Sequence, residues 1–326
     1  MSKKLLSIFL LLMLLTWFTG CATPIPSEPE FASIDSKNLP TPNFDAKIKG
    51  LTSCTTSTDP TITLNSDEPV IVIVHGCYGS AALYRSLAQV FAFHGQQAVC
   101  FNYNDRDSLL KSSGELINAV NGLSAKMDNP NLTVIGHSQG GLVARSALTK
   151  QRQDQLSVDN GLLQLITISA PYAGIFAADH CGSTTIRWLS LGLVVPICHA
   201  ISGDKWYEIT TPSPFIQQPG TLIERVTSHL KIVTNEMGSC RAYDENGRCV
   251  EDDFVFSVKE QYFSQVDNAR GVDNVEIAAG HVEIVGDYKV APTKLIELLQ
   301  ERGVMRNTPP GKKAKLSELL AQIYHY

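Results

Sequence analysis

Gly136-His137-Ser138-Gln139-Gly140 constrains this chain more than any other five residues, because it joins a strand-like run to a helix-like one. Leu132 to Ile135 is apolar and β-type, and Leu142 to Leu148 follows as the helix-like stretch. A G-x-S-x-G pattern at such a junction reads as strand, tight turn and helix. The serine is held in a strained backbone conformation and its hydroxyl is left exposed at the edge of a sheet. The flanking glycines leave out side chains that would collide with the neighbouring strand and helix. A glycine-rich strand-to-helix turn can also serve packing alone, so the flanking runs carry the signal.

A second motif lies upstream. Val70 to Val74 is an unbroken β-branched run that ends in His75-Gly76-Cys77-Tyr78-Gly79, an H-G-x-x-G loop. On these two motifs the chain resembles the α/β-hydrolase family, in particular bacterial lipases and esterases, over roughly residues 70 to 302. The resemblance implies an α/β fold: a mostly parallel central sheet, helices on both faces, and a cap inserted at about residues 172–229. It also implies an oxyanion hole made by the backbone N–H of Gln139, just after the serine, and that of Cys77, just after the His-Gly pair.

A serine hydroxyl is a weak nucleophile at neutral pH and needs a base, which in turn needs an orienting group. In the family resembled, both follow the serine in the order Ser, Asp or Glu, His. The C-terminal half offers His180, His199, His229, His281 and His325. His281 fits best: it follows the apolar strand Val275 to Ala279 through Gly280 and precedes a helix over Thr293 to Arg302. For the acid, Glu251, Asp252 and Asp253 are consecutive. Asp253-Phe254-Val255-Phe256-Ser257-Val258 keeps the apolar spacing common in that family, with serine where proline is frequent. Asp252 is the alternative, with Glu251 and Asp267 behind it. The expected roles are Ser138 as nucleophile, His281 as base and Asp253 as the group that holds the imidazole tautomer. No H-E-x-x-H spacing and no glycine-rich phosphate loop occurs, so no metal and no cofactor is expected.

Lys3 and Lys4 precede the apolar run Leu5 to Phe18, which closes in Phe18-Thr19-Gly20-Cys21, a lipobox-like sequence. The run is shorter than the roughly 20 residues of a membrane-spanning helix, and residues 1–20 read as a lipoprotein signal peptide with Cys21 as the acyl acceptor. Ala22 resembles the position after the cysteine in lipoproteins sorted to the outer membrane, so a lipid anchor in the bacterial envelope is expected. Residues 21–69, rich in Pro, Ser, Thr and Asp, read as a tether with an opening strand near Thr61 to Leu64, and residues 70–326 as the hydrolase domain.

Of the eight cysteines, setting Cys21 aside leaves an odd number, so at least one thiol is free or paired with another molecule. Cys240 and Cys249 bracket a polar turn, Cys181 and Cys198 bracket a second loop, and one bridge among Cys54, Cys77 and Cys100 stays open. The formal charge of −5 carries no basic nucleic-acid footprint. Between Pro171 and Leu230, residues such as Trp188, Leu189, Leu191, Leu193 and Trp206 form either a second layer of core or the lining of an acyl pocket and lid. The resulting expectation is a hydrolase of carboxylic esters with lipid-like acyl groups. A thioesterase or acyltransferase shares the same triad. A non-catalytic envelope module that keeps the fold for binding is the alternative from another class, and the intact order Ser138, Asp253, His281 speaks against it.

Overall fold

Unbroken β-branched runs belong in sheets covered on both faces. The computed structural model, which describes residues 33–77, 84–151, 161–191, 193–287 and 289–324, places Val70–Val74 in the middle of such a sheet. In chain order the strands are β1 (Phe44–Lys47), β2 (Leu51–Thr52), β3 (Thr61–Leu64), β4 (Val70–Val74), β5 (Gln97–Phe101), β6 (Leu132–His137), β7 (Leu163–Ile168), β8 (Val226–Asn235), β9 (Cys240–Tyr243), β10 (Cys249–Asp252) and β11 (Val272–Ala278). The longer helices are α1 (Arg85–Phe93), α2 (Leu109–Ser124), α3 (Gln139–Ala147), α4 (Thr184–Leu189), α5 (Val194–Ser202), α6 (Thr293–Glu301) and α7 (Lys313–Tyr324). Seven strands form the central sheet in the order β11-β8-β7-β6-β4-β5-β2. Its pairings are parallel except that of β2 with β5.

Successive side chains of a strand point to opposite faces, and β4 feeds both cores. Val70, Val72 and Val74 pack with Leu109 and Leu116 of α2 and Val143 of α3. Ile71 and Ile73 pack on the other face with Val90 and Phe91 of α1, Leu295 of α6 and Tyr324 of α7. Helices therefore cover both faces, as expected of an α/β-hydrolase.

The segment expected as a tether departs from expectation. β1 and β3 pair antiparallel and β2 extends the sheet edge, while Ala46, Ile48, Leu51, Ile62 and Leu64 are buried in the first core. The apolar residues there are few but spaced by two along each strand, so each strand buries one face despite the polar composition. Cys54, just after β2, is bonded to Cys100 of β5 and fixes this edge. The signal peptide expected at residues 1–20 and the expected acyl acceptor Cys21 lie outside the described residues, as do Tyr78, Gly79 and His325.

Two insertions complete the domain. The cap lies between β7 and β8, carries α4 and α5, and is closed by a Cys181–Cys198 bridge. The β9–β10 hairpin is closed by Cys240–Cys249. Among the described residues Cys77 is the cysteine outside a disulfide.

Candidate active site

β6 runs directly into α3, and Ser138 at the junction has φ 55° and ψ −128°, a left-handed conformation that a non-glycine residue adopts only under strain. The fold holds it there from both sides. Its N–H donates to the Ile168 carbonyl at 2.8 Å, and its own carbonyl accepts from Gly141 N–H at 3.0 Å. A Cβ on Gly140 would lie 2.3 Å from the His75 carbonyl oxygen, so the His75-Gly76 loop can cross the elbow only over a glycine. Likewise a Cβ on Gly76 would lie 2.9 Å from Ser138 Cβ. The two sequence motifs are thus in direct contact.

His281 follows β11 and is buried. Its Nδ1 lies 2.8 Å from Glu236 Oε1, and the Glu236 side chain is fully buried. The expected ring partner, Asp253, is not at the ring. Its main-chain carbonyl accepts from His281 N–H at 3.0 Å, and its carboxylate accepts from the backbone N–H groups of Val282 and Glu283. Asp253 therefore shapes the loop that carries the histidine, while Glu236, one residue past β8, orients the imidazole. Burial raises the Asp253 carboxyl above its ordinary value, against the opposing pull of the Glu283 and Val282 N–H groups. The other acidic candidates are engaged elsewhere. Asp252 accepts from Phe254 N–H, Glu251 pairs with Arg241, and Asp267 pairs with Lys231. His229 is likewise used in the core, bonded to Thr167 Oγ1 at 2.8 Å.

Glu236 escaped the sequence reading because the 251–253 run offered carboxylates at a familiar apolar spacing. The available signal was an acidic residue directly after the β-type run Leu230-Lys231-Ile232-Val233-Thr234-Asn235 and before Met237-Gly238. Its carboxylate also accepts from Thr234 Oγ1 at 2.9 Å and from the N–H groups of Val255 and Phe256 at 2.6 and 2.8 Å. Such bonds fix the orientation of the buried carboxylate toward the His281 ring.

His137, just before Ser138, buttresses the histidine loop. Its Nε2 faces the His281 carbonyl oxygen at 2.9 Å, so that nitrogen carries the proton, and Nδ1 accepts from the Tyr84 hydroxyl at 3.1 Å. Burial, then the neighbouring His281, holds the His137 pKa well below its ordinary value, which fits this neutral tautomer.

Ser138 lines a cleft with Cys77, Gln139 and Phe256, walled further by Leu142, Ile175 and Ile209. The Phe256 ring, which lines the cleft, stands edge-on to the His281 imidazole, with centroids 4.9 Å apart. Cys77 Sγ donates to Gln139 Oε1 at 3.0 Å, which brings together the two residues expected to supply oxyanion donors. His180, Cys181 and Cys198 also lie close together in the cap, but the two sulfurs are bonded to each other.

The family model described as palmitoyl protein thioesterase matches residues 69–221, a stretch that includes Cys77, Ser138, Gln139 and most of the cap and ends before Glu236 and His281. Among solved structures, a Bacillus licheniformis lipase in its propeptide form is similar with a TM-score of 0.51 and 16% identity, covering 82% of this chain and 55% of that one. Its mature form gives 0.49 at 16% identity, over 82% of this chain and 100% of that one. An esterase/lipase from an uncultured bacterium gives 0.46 at 13% identity, over 94% of each chain. No curated protein matches in sequence. With its sheet order and its serine elbow between β6 and α3, the chain has the α/β-hydrolase fold of such lipases and esterases.

Proposed function

We propose that the protein is a serine hydrolase that cleaves carboxylic esters of lipid-like acyl groups through an acyl-enzyme. The observation that carries this reading is Ser138, held at φ 55° in an apolar cleft whose wall residue Phe256 packs on His281, itself paired with Glu236. Ser138 Oγ attacks the acyl carbon while His281 takes its proton. The leaving alcohol receives that proton, and water then repeats the sequence to release the acid. Glu236, in place of Asp253, holds the proton of His281 on Nδ1, leaving Nε2 free to act as base. The N–H groups of Cys77 and Gln139 are assigned to the oxyanion, where one donor is typically worth about 3 kcal/mol of barrier.

The cleft walls, chiefly Leu142, Ile175, Ala178, Ile201, Ile209 and Phe256, favour an apolar acyl chain. Trp188, Leu189, Leu191 and Leu193 of the cap are exposed, as suits a substrate delivered from lipid. The thioesterase-model match over residues 69–221 favours a second reading, in which the leaving group is a thiol and the acyl-enzyme route is unchanged. We also propose that Cys21 anchors the enzyme by lipid to the bacterial envelope, in keeping with the lipobox-like sequence.

The test is Ser138→Ala. It should lower p-nitrophenyl ester turnover on the order of 10⁴-fold or more with an unchanged circular dichroism spectrum, and abolish labelling by a serine-reactive phosphonate. A folded alanine variant with wild-type turnover refutes the mechanism. Comparing a palmitoyl ester with a palmitoyl thioester on the wild type separates the two leaving groups.

A further inference from the structure

The cap is fastened to the body next to the nucleophile. After α5 the chain makes a 3-10 turn, Gly203–Trp206, against the loop that follows β5. Gly203 has φ 75°, and a Cβ there would lie 2.2 Å from the Arg106 carbonyl oxygen, so the two backbones are in contact. Asp204 N–H donates to that same carbonyl at 2.8 Å. The Arg106 guanidinium reaches back to the carbonyls of Ile201 and Ala200 at 2.9 and 2.8 Å. Glu208 accepts from Ser108 Oγ at 2.8 Å and from Leu109 N–H.

This docking delivers one buried cation to the cleft. Lys205 is 4% exposed and lines the cavity beside Ser138. Its Nζ donates to Gln139 Oε1 and to the Asp105 carbonyl, and lies 3.3 Å from Cys77 Sγ. Gln139 Nε2 donates to the Asp105 carbonyl as well, at 3.0 Å. Among the described residues no carboxylate forms an ion pair with Lys205. Burying an ammonium costs more than burying the methionine that would fill the same space.

We propose that Lys205 is a positioning residue for the oxyanion hole: its ammonium ties the Gln139 side chain and the Cys77 thiol to the docked cap, so that the two backbone N–H groups converge only when the cap root sits on the 105–109 loop. This rests on the assignment of Ser138 as nucleophile. The cap then acts on chemistry as well as on substrate access, because one of its residues sets the geometry on both sides of the hole.

The test uses the full chain and the variants Lys205→Met, Lys205→Arg, Gln139→Met and the double variant Lys205→Met/Gln139→Met. For Lys205→Met, kcat for a p-nitrophenyl ester should fall about 10²-fold while KM stays within about threefold, and the rate of inactivation by a serine-reactive phosphonate should fall in parallel. Lys205→Arg, which keeps the charge, should recover much of that loss. The double variant should be little worse than the more affected single variant, since both remove one linkage. Wild-type kcat in Lys205→Met, a loss carried wholly by KM, or additive losses would overturn the proposal. If near-ultraviolet circular dichroism shows Lys205→Met to be unfolded, Gln139→Met decides alone: a fall in kcat of about 10-fold or more supports the clamp, and wild-type kcat overturns it. An inactive Ser138→Ala beside a fully active Lys205→Met removes only the clamp. Full activity in Ser138→Ala removes the nucleophile assignment instead.

Discussion

Glu236 Oε1 and His281 Nδ1 lie 2.8 Å apart, although 45 residues separate them and a closer acidic run ends at Asp253. The two carboxylates divide the work on the histidine. Glu236 contacts the ring, whereas the Asp253 carboxylate holds the backbone through the N–H groups of Val282 and Glu283, next to the His281 N–H that donates to the Asp253 main-chain carbonyl.

This division predicts a ranking. Glu236→Gln keeps the size of the side chain but removes the charge that stabilises imidazolium, and should lower kcat by about 10³- to 10⁴-fold. Asp253→Asn should cost about 10-fold, by loosening the loop. Steady-state ester hydrolysis by the two variants checks this, and the reverse ranking would return the orienting role to Asp253.

Stability should fall on acidification because several histidines are buried neutral. His229 is the clearest case. Burial first, then Arg145 and Lys231, bring its pKa down from 6.5 to about 3. Above pH 6.5 the ring is neutral in both folded and unfolded chains. Between pH 6.5 and about 3 only the unfolded chain takes up the proton, so stability is lost as pH falls through that window. At pH 5 the loss from this group is about 2 kcal/mol relative to pH 7. His229→Gln should reduce the pH 7 to pH 5 difference in urea-unfolding free energy by about that amount. An unchanged difference would contradict it.

The Cys54–Cys100 bridge closes a loop of 46 residues and ties the β2 edge to β5. Replacing both cysteines with alanine should destabilise the domain by about 4 kcal/mol on the loop-entropy account, measurable by denaturant unfolding. Alkylation of the folded, non-reduced protein should label Cys77, and Cys77→Ser should lose that label.

On the proposed lipid anchor, Cys21→Ser should stop lipidation, because it removes the thiol assigned as acyl acceptor. Wild-type cells should incorporate a clickable palmitate analogue into the protein and release it only with detergent, whereas the variant should remain unlabelled. Several buried acyl chains, at about 0.8 kcal/mol per CH₂, suffice for lasting attachment. Equal labelling of both forms would return the N-terminus to a plain secretory signal and leave the hydrolase assignment untouched.

Local patterns were enough for the strand–elbow–helix at Ser138, the His75-Gly76 loop, the β-branched strand β4 that leads into it and the place of His281 after β11, because each depends on contiguous residue types. Two of the disulfide pairs were also legible from the turns they bracket. Tertiary structure alone decided the rest. Whether Cys54 or Cys77 meets Cys100 depends on β2 joining the sheet edge, and that strand is only two residues long. The place of Lys205 depends on a cap folding back over 100 residues onto Asp105. The identity of the acid depends on where the ends of β8 and β11 meet in space. These strands lie side by side in register, Ala278 opposite Asn235, so the residue after β8 comes level with the loop after β11. Spacing along the chain does not encode that proximity, because a charge reaches an imidazole through sheet geometry, whatever number of residues the hairpin between them contains.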